Sequence, residues 1–365
     1  MNIEHFLHHS SSRWLEQHGE ASDIVMTTRI RLARNLTGMR FPLSFSEEEA
    51  NKIQEKVMST LLSVQEQTNF SYFPMKDLST LERQVLVEKH LISPYLAKNE
   101  QTAAVFLSAD ESISIMVNEE DHLRIQYLAP GLQLSEAYNR ASQLDDFLGE
   151  KLSYAYDEQF GYLTSCPTNV GTGLRASIMM HLPALTMSKQ MNVLIQMMTR
   201  LGMVVRGIYG EGSENLGNIY QISNQTTLGK SEREILDELQ KVVEQIIEKE
   251  RASRKKLLEH AYLALDDKVN RALGTLLYAR ILTSEEAATC LSNVRLGVDL
   301  GLIDHISQNG LNECLVYIQP GFIQQYAGTS LDAQERDIFR AKYIQEKLHN
   351  ANLSIKDEGE KPYDV

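Results

Sequence analysis

The strongest restriction on what this chain can fold into lies between residues 113 and 127. Ile113, Ile115 and Val117 alternate with other residues, the polar connection Asn118 to His122 follows, and Leu123, Ile125 and Tyr127 alternate again. A period of two on both sides of a short polar connection predicts an antiparallel hairpin, because successive side chains on a strand point to opposite faces. The apolar set belongs to a core, which leaves Arg124 on the opposite face. Other segments repeat the arrangement. Val25 to Leu32 alternates with Arg29 and Arg31 on one face. Ala176, Ile178, Met180 and Leu182 alternate with Arg175, Ser177, Met179 and His181, and a strand after Leu201 carries Arg206.

Helical spacing appears between these strands, from Ser46 (with Glu49 three residues on) to about Gln65 and from Met187 to Leu201. Strands and helices mix without a regular βαβ rhythm. The expected class is therefore α+β, a largely antiparallel sheet flanked by helices rather than a doubly wound fold. After Ser231 the character changes. Ser231 and Glu234 form a capping-box pattern, and Ile235, Leu239, Val242 and Ile246 follow at helical spacing. Thr283 with Glu286 and Asp332 with Glu335 mark further helix starts. The charged stretch 248–256 reads as the junction, dividing a domain of residues 1–254 from an all-helical domain of residues 255–365.

Charge narrows the function. With 49 acidic and 36 basic side chains the net charge is −13, which argues against direct nucleic-acid or anionic-membrane binding and requires any basic site to be a local concentration of arginine. Cys166, Cys290 and Cys314 form no CxxC pair, so neither a disulfide framework nor a structural zinc site is expected and a reducing cytosol fits. The N-terminus carries no apolar core of signal-peptide type, and no run reaches the ~18 apolar residues of a membrane span. A cytoplasmic location is expected. Familiar motifs fail. Gly229-Lys230-Ser231 resembles the end of a P-loop, but its first glycine would have to be Asn224. GTGLRA (171–176) precedes a strand-like alternation instead of opening a helix. His5, His8 and His9 read as a frayed N-terminus rather than as metal ligands, and no metal site is expected.

What survives is the set Arg29, Arg31, Arg124, Arg175 and Arg206, on strand faces of an acidic chain. Guanidinium is permanently charged and forks onto phosphate oxygens, so arginines gathered on one side of a sheet suit a polyphosphate. NEEDHLR (118–124) adds two carboxylates and an imidazole directly before one of them. Taken in order, NEEDHLR, CPTNVGTGLRAS (166–177) and RGIYGE (206–211) closely resemble the phosphagen kinases, which include the creatine and arginine kinases, and above all their bacterial protein-arginine-kinase branch. The resemblance runs from about residue 13 to 230.

The resemblance implies a saddle of antiparallel strands binding ATP with Mg²⁺. Thr28, Arg29, Ile30 and Arg31, then Arg124, Arg175, Ala176 and Ser177, then Arg206, Gly207, Ile208, Tyr209 and Gly210 would bind the nucleotide. Glu120 would be the catalytic carboxylate, Glu211 the second carboxylate on the guanidinium and Cys166 the cysteine beside it. Gly207 to Gly217 would be the mobile loop. A protonated guanidinium has no useful lone pair, with a pKa above ~12, so two carboxylates that grip it and take a proton make the chemistry intelligible. Cys166 reads equally as a small buried residue, and His122 as a local hydrogen-bonding group.

In the helical tail, RDIFRA (336–341) places Arg336 and Arg340 one turn apart. It resembles the regulatory phosphoarginine pocket of the protein arginine kinases, implying Arg336, Asp337, Arg340 and Ala341 as an allosteric site. The alternative is a solvated face with Asp332 paired to Arg336. Leu273, Leu276, Leu277, Leu296 and Val298 could serve the homodimer that the family tail forms or pack internally. TRIR at 28 and NEEDH at 118 leave no room before them for the leading helical domain of the metabolic members. The expected acceptor is therefore an exposed arginine side chain of a protein. The resemblance further implies roles in stress response and quality control, with a zinc-binding activator, a heat-shock repressor that the enzyme inactivates, and a Clp AAA+ unfoldase as partners. The rivals are a kinase for free arginine and a non-catalytic phosphoarginine-binding adaptor.

Overall fold

The alternating segments assemble into one antiparallel sheet. In the computed structural model, which describes residues 2–8, 12, 15, 19–62, 70–207, 216–304 and 306–359, the strands are β1 (Val25–Arg34), β2 (Ser71–Pro74), β3 (Ala104–Leu107), β4 (Ile113–Val117), β5 (Leu123–Pro130), β6 (Tyr156–Asp157), β7 (Gly161–Tyr162), β8 (Leu174–His181), β9 (Met203–Gly207) and β10 (Ile219–Asn224). Eight of them form the sheet in the order β2-β3-β4-β5-β1-β8-β10-β9, and β6 pairs with β7 alone. The expected hairpin is β4–β5, with Ile115 opposite Ile125.

The period of two sorts the sheet into unlike faces. Ile30, Leu32, Ile115, Val117, Leu123, Ile125, Ala176 and Ile178 enter one core, beneath the helices Glu47–Leu62, Leu134–Lys151, Met191–Arg200 and Glu232–His260. The opposite face carries the arginines at its centre. On either side of them it is apolar: Phe73, Val105, Met116 and Leu128 on one flank, Met179 and Ile219 on the other. These join a second core that runs on into Leu265, Leu291, Leu315 and Phe322 of the tail helices. The tail thus closes over the ends of the arginine face.

The charged stretch 248–256 lies within the uninterrupted helix Glu232–His260. Two of its charges, Glu250 and Arg254, are buried ties. The Glu250 carboxylate accepts the amides of Ala184 and Leu185 at 3.0 and 2.9 Å, and Arg254 pairs with Glu250 at 3.0 Å and Asp299 at 3.2 Å. The N-terminus is not frayed where it is described. Residues Ile3–His8 form a helix with Phe6 fully buried, and His5 Nε2 lies 3.2 Å from the Ala109 carbonyl; His9 and the His8 side chain lie outside the described residues. The helix expected from Met187 starts at Met191, since Lys189 takes a φ of 57° that no helix accommodates. No helix among the described residues is long and apolar enough to cross a membrane.

Candidate active site

Strand register gathers the arginines. Arg31 stands opposite Arg175 and Arg29 opposite Ser177 across β1–β8, Ala33 stands opposite Arg124 across β1–β5, and Gln221 stands opposite Arg206 across β10–β9. Neutral side chains meet two of these guanidiniums. Arg29 donates from Nε to Ser177 Oγ at 3.3 Å and from Nη2 to Gln221 Oε1 at 2.6 Å, and Arg175 reaches Ser223 Oγ at 3.5 Å. Arg31 Nε is buried with no hydrogen-bond partner among the described residues. Burial, then repulsion from Arg124 and Arg175, pulls the Arg29 guanidinium down to about 10. Arg31 is likewise lowered, by burial and by Arg29, Arg124 and Arg175, with Glu119 opposing. Clustered cations of this kind, one with an orphaned donor, are complementary to a multiply charged anion such as a triphosphate.

Two cavities lie over this face. The larger, about 270 Å³, is lined by Arg31, Arg124, Arg175 and Arg206 together with Glu120 and Cys166. The smaller, about 110 Å³, adds Arg29, His90 and Ser93. Burial and the nearby Arg29 hold His90 down to about 3, so its imidazole is neutral at physiological pH. His90 and Ser93 follow the helix Thr80–Glu88 in a segment without periodicity, and no sequence signal marks them.

The hairpin connection sets the carboxylates. Asn118, at φ 58°, starts the turn, and its amide donates to the His122 carbonyl at 2.9 Å. Glu119 is buried. Its Oε1 accepts Arg124 Nη1 at 2.7 Å and Ser93 Oγ at 2.5 Å, and its Oε2 accepts the Glu120 amide at 2.8 Å. Glu120, whose side chain is 37% exposed, meets Arg124 Nη2 at 3.0 Å. Burial raises the Glu120 carboxyl above its ordinary value against the pull of Arg124. Asp121 accepts Asn35 Nδ2 and the Ser165 amide, each at 2.6 Å, which ties the turn to the loop of Cys166. The resemblance singled out Glu120, but nothing in the sequence assigned the tasks of Glu119 and Asp121.

His122 acts locally, as expected. Its Nδ1 accepts the Leu36 amide at 3.0 Å, and Nε2, the protonated nitrogen by its partner, donates to the Arg40 carbonyl at 2.9 Å. Cys166 is partly exposed on the cavity wall, with Sγ 3.0 Å from Thr168 Oγ1, and so is not a buried core residue.

Three residues carried over to the nucleotide with their motifs turn their side chains away from the arginine face. Ile30 and Ala176 are fully buried in the core beneath the opposite face. Thr28 is buried too, donating to the Gly131 carbonyl at 2.6 Å and accepting the Gln133 amide at 3.0 Å. In each case the strand period turns the side chain away from the arginines. Ser177 lies on the arginine face, but its hydroxyl is engaged by Arg29. Gly207 ends β9 opposite Tyr220, whereas Ile208, Tyr209, Gly210 and Glu211 lie outside the described residues, as does the expected loop up to 215.

The tail pair departs from the solvated-face alternative. Asp332 caps its helix, accepting the Glu335 amide at 2.9 Å, and Arg336 donates to the Leu331 carbonyl at 2.9 Å rather than pairing with Asp332. Arg340 is 1% exposed. Its Nε donates to the Ile318 carbonyl at 2.7 Å and its Nη1 to the Leu282 carbonyl at 2.8 Å and to Asp337. Ala341 is buried beside it. Two forks converging on an external phosphate would require these bonds to be given up.

Known proteins place the chain. Residues 52–253 match the model of the ATP:guanido phosphotransferase C-terminal catalytic domain, and residues 262–360 match that of the protein-arginine kinase McsB C-terminal domain. A protein-arginine kinase of Halalkalibacterium halodurans is 55% identical over 98% of this chain and 99% of its own. That of Bacillus subtilis is 52% identical over 96% of each. Among solved structures, the duplicated taurocyamine kinase of Schistosoma mansoni with transition-state-analogue components superposes with a TM-score of 0.57 at 27% identity, over 63% of this chain and 33% of that one. A lombricine kinase gives 0.57 at 24% identity, over 67% and 71%, and shares the fold.

Proposed function

The chain belongs to the ATP:guanido phosphotransferase family, and we propose that it transfers the γ-phosphoryl group of ATP to arginine side chains of proteins, giving N-phosphoarginine. One observation carries this reading: Glu120 and Cys166 share a single cavity with four guanidiniums. The names of the relatives and the match of the tail to a protein-arginine kinase domain support a protein acceptor over free arginine.

The residues divide the work. Arg29, Arg31, Arg124, Arg175 and Arg206 hold the phosphates and stabilise the charge of a loose transition state. Among the described residues no three His, Cys, Asp or Glu side chains gather for a metal. Mg²⁺ would be held by phosphate oxygens, where it neutralises part of their charge. Arg124 now grips Glu119 and Glu120 together. As phosphate oxygens draw its Nη2 away, Glu120 loses its cation and becomes available to the incoming guanidinium. A guanidinium nitrogen then forms the P–N bond, its proton passes to the Glu120 carboxylate, and the P–O bond to ADP breaks with its electron pair on the leaving oxygen. Glu119 holds the Glu120 backbone in place throughout. Glu211 is the second carboxylate in this scheme.

The reading extends, on the family resemblance, to a cytoplasmic homodimer in stress response and protein quality control. There it would inactivate a heat-shock repressor, mark proteins for a Clp-type unfoldase, and respond to a zinc-binding activator and to phosphoarginine at Arg336, Asp337, Arg340 and Ala341. The decisive experiment is ³¹P NMR of a protein substrate incubated with ATP. An acid-labile P–N resonance is expected on the protein, and Glu120→Gln should lower kcat by about 10²–10⁴-fold with little change in KM for ATP. Phosphate found solely on free arginine would replace this reading by a small-guanidine kinase, and absence of any product would favour a phosphoarginine-binding adaptor. An undiminished rate in Glu120→Gln would remove the base.

A further inference from the structure

A second concavity, of about 470 Å³, opens behind the loop that walls the catalytic cavity, lined by Tyr156, Glu158, Phe160, Leu228, Lys230 and Glu232 among others. Tyr156, Phe160 and Leu228 are 59%, 47% and 52% exposed. Large apolar side chains gathered in water mark a surface that meets something. The groove is also acidic. Its one lysine is spoken for, because Lys230 Nζ lies 2.5 Å from Glu238, which leaves Glu158 and Glu232 beside the rings of Tyr156 and Phe160. The far wall is ordered: Tyr162 meets Tyr156 edge to face at 5.3 Å and has Arg34 stacked 3.5 Å from its ring centre.

The partition between groove and catalytic cavity is a single pass of backbone. Thr168, Asn169 and Gly173 line the catalytic cavity, while Gly171 and Thr172, in the same run, line the groove. This wall is pinned from two sides. Thr227 Oγ1 donates to the carbonyls of Thr168 and Val170 at 3.0 and 2.6 Å, and Arg34 Nη1 donates to the Thr172 carbonyl at 3.0 Å. Gly171, at φ 111°, has no space for a side chain, since a Cβ there would fall 2.4 Å from the Thr227 carbonyl oxygen. The two cavities therefore keep a fixed separation.

We propose that this groove docks the substrate segment beside the target arginine and takes from it a basic side chain. The inference rests on the protein-arginine reading above and deepens it. The occupant is an extended stretch of protein carrying lysine or arginine near the acceptor. Aromatic faces and carboxylates together hold an ammonium or guanidinium by cation–π and ionic attraction. Crossing a backbone breadth of ~5 Å at ~3.4 Å per extended residue takes about two residues, so that side chain lies at least about two residues from the acceptor.

The test uses the full-length enzyme and peptides with one arginine, carrying lysine or alanine three residues to either side. Lysine on one side should lower KM roughly three- to tenfold relative to alanine, as an exposed cation–π and ion-pair contact would. Glu158→Gln and Phe160→Ser should each erase that difference while leaving kcat and KM for ATP unchanged. The groove assignment is overturned if the variants discriminate between the peptides as wild type does, or if KM rises equally for both. Turnover of free arginine with no peptide phosphorylated by wild type would overturn the protein-arginine reading, and this inference with it.

Discussion

Arg31 on the sheet and Arg340 in the tail are both guanidiniums taken largely out of water, and they are treated in opposite ways. Arg340 is answered at Nε and Nη1 by two carbonyls and a carboxylate. Arg31 has a buried Nε with no partner among the described residues and three other arginines near enough to lower its pKa. The first arrangement closes on itself, joining Ile318, Leu282 and Asp337. The second is complete only with an anion. Counting their partners separates an arginine tied within the fold before any ligand arrives from one that an anion must complete.

The largest effect should come from breaking the closed arrangement. Arg340→Met leaves the Leu282 and Ile318 carbonyls without their donor in a buried setting. It should cost roughly 3–5 kcal/mol, the range for stripping one partner from a buried charged group. Equilibrium urea unfolding measures it. A loss below about 1 kcal/mol, the worth of one ordinary hydrogen bond, would mean that these bonds hold nothing together and that Arg340 gives them up to an external phosphate at little cost.

Arg31→Met probes the other side of the contrast. It removes a charge that its neighbours repel, so the unfolding midpoint should stay or rise. The ATP site loses a charge-assisted contact of about 1.5–3 kcal/mol, so kcat/KM for ATP should fall about ten- to a hundredfold. A variant that unfolds as readily as Arg340→Met, yet keeps its kinetics with ATP, would reverse the two assignments.

How much of this was legible in advance depends on which physical pattern carried it. Period two placed Arg29, Arg31, Arg124 and Arg175 on one face, because a strand with one buried side writes that burial into its sequence. The same period already excluded side-chain roles for Thr28, Ile30 and Ala176, which the motif had carried along with its arginines. The covering of the arginine face was not legible. Leu128 of the sheet and Leu265 and Phe322 of the tail share a core, but no amphipathic pattern names the surface its apolar side will meet. Nor do the three successive carboxylates of NEEDH reveal their separate tasks. Glu119 is buried on Arg124, Asp121 holds the Cys166 loop, and Glu120 alone lines the cavity; these differences come from partners distant in the chain, such as Ser93, Asn35 and Ser165.

The smallest effect on catalysis should come from Glu88, where the two regions meet. It ends the helix Thr80–Glu88, next to Val87 of the smaller cavity. Its carboxylate accepts the amides of Gly321 and Phe322 at 2.8 and 3.0 Å and the Gln84 side chain at 3.0 Å. Those amides open the tail helix Pro320–Ala327, and Gly321 is glycine at a point where a Cβ would sit 2.8 Å from the Glu88 carboxylate. The amides, Gln84 and Arg340 all favour the charged form. Burial outweighs them and pushes the carboxyl up to about 7. Its folded pKa thus exceeds the unfolded value of about 4.3, so between those limits the folded chain binds more protons than the unfolded one. The stabilisation from this group is fully present below about pH 4.3 and is lost as pH rises through about 7. The unfolding midpoint should therefore decline between pH 5 and pH 8, and Glu88→Gln should flatten the decline without altering KM for ATP. Parallel curves for the two proteins would show that Glu88 does not titrate in this range. A KM for ATP that moved with the substitution would show instead that the tail and the arginine face are coupled through this carboxyl.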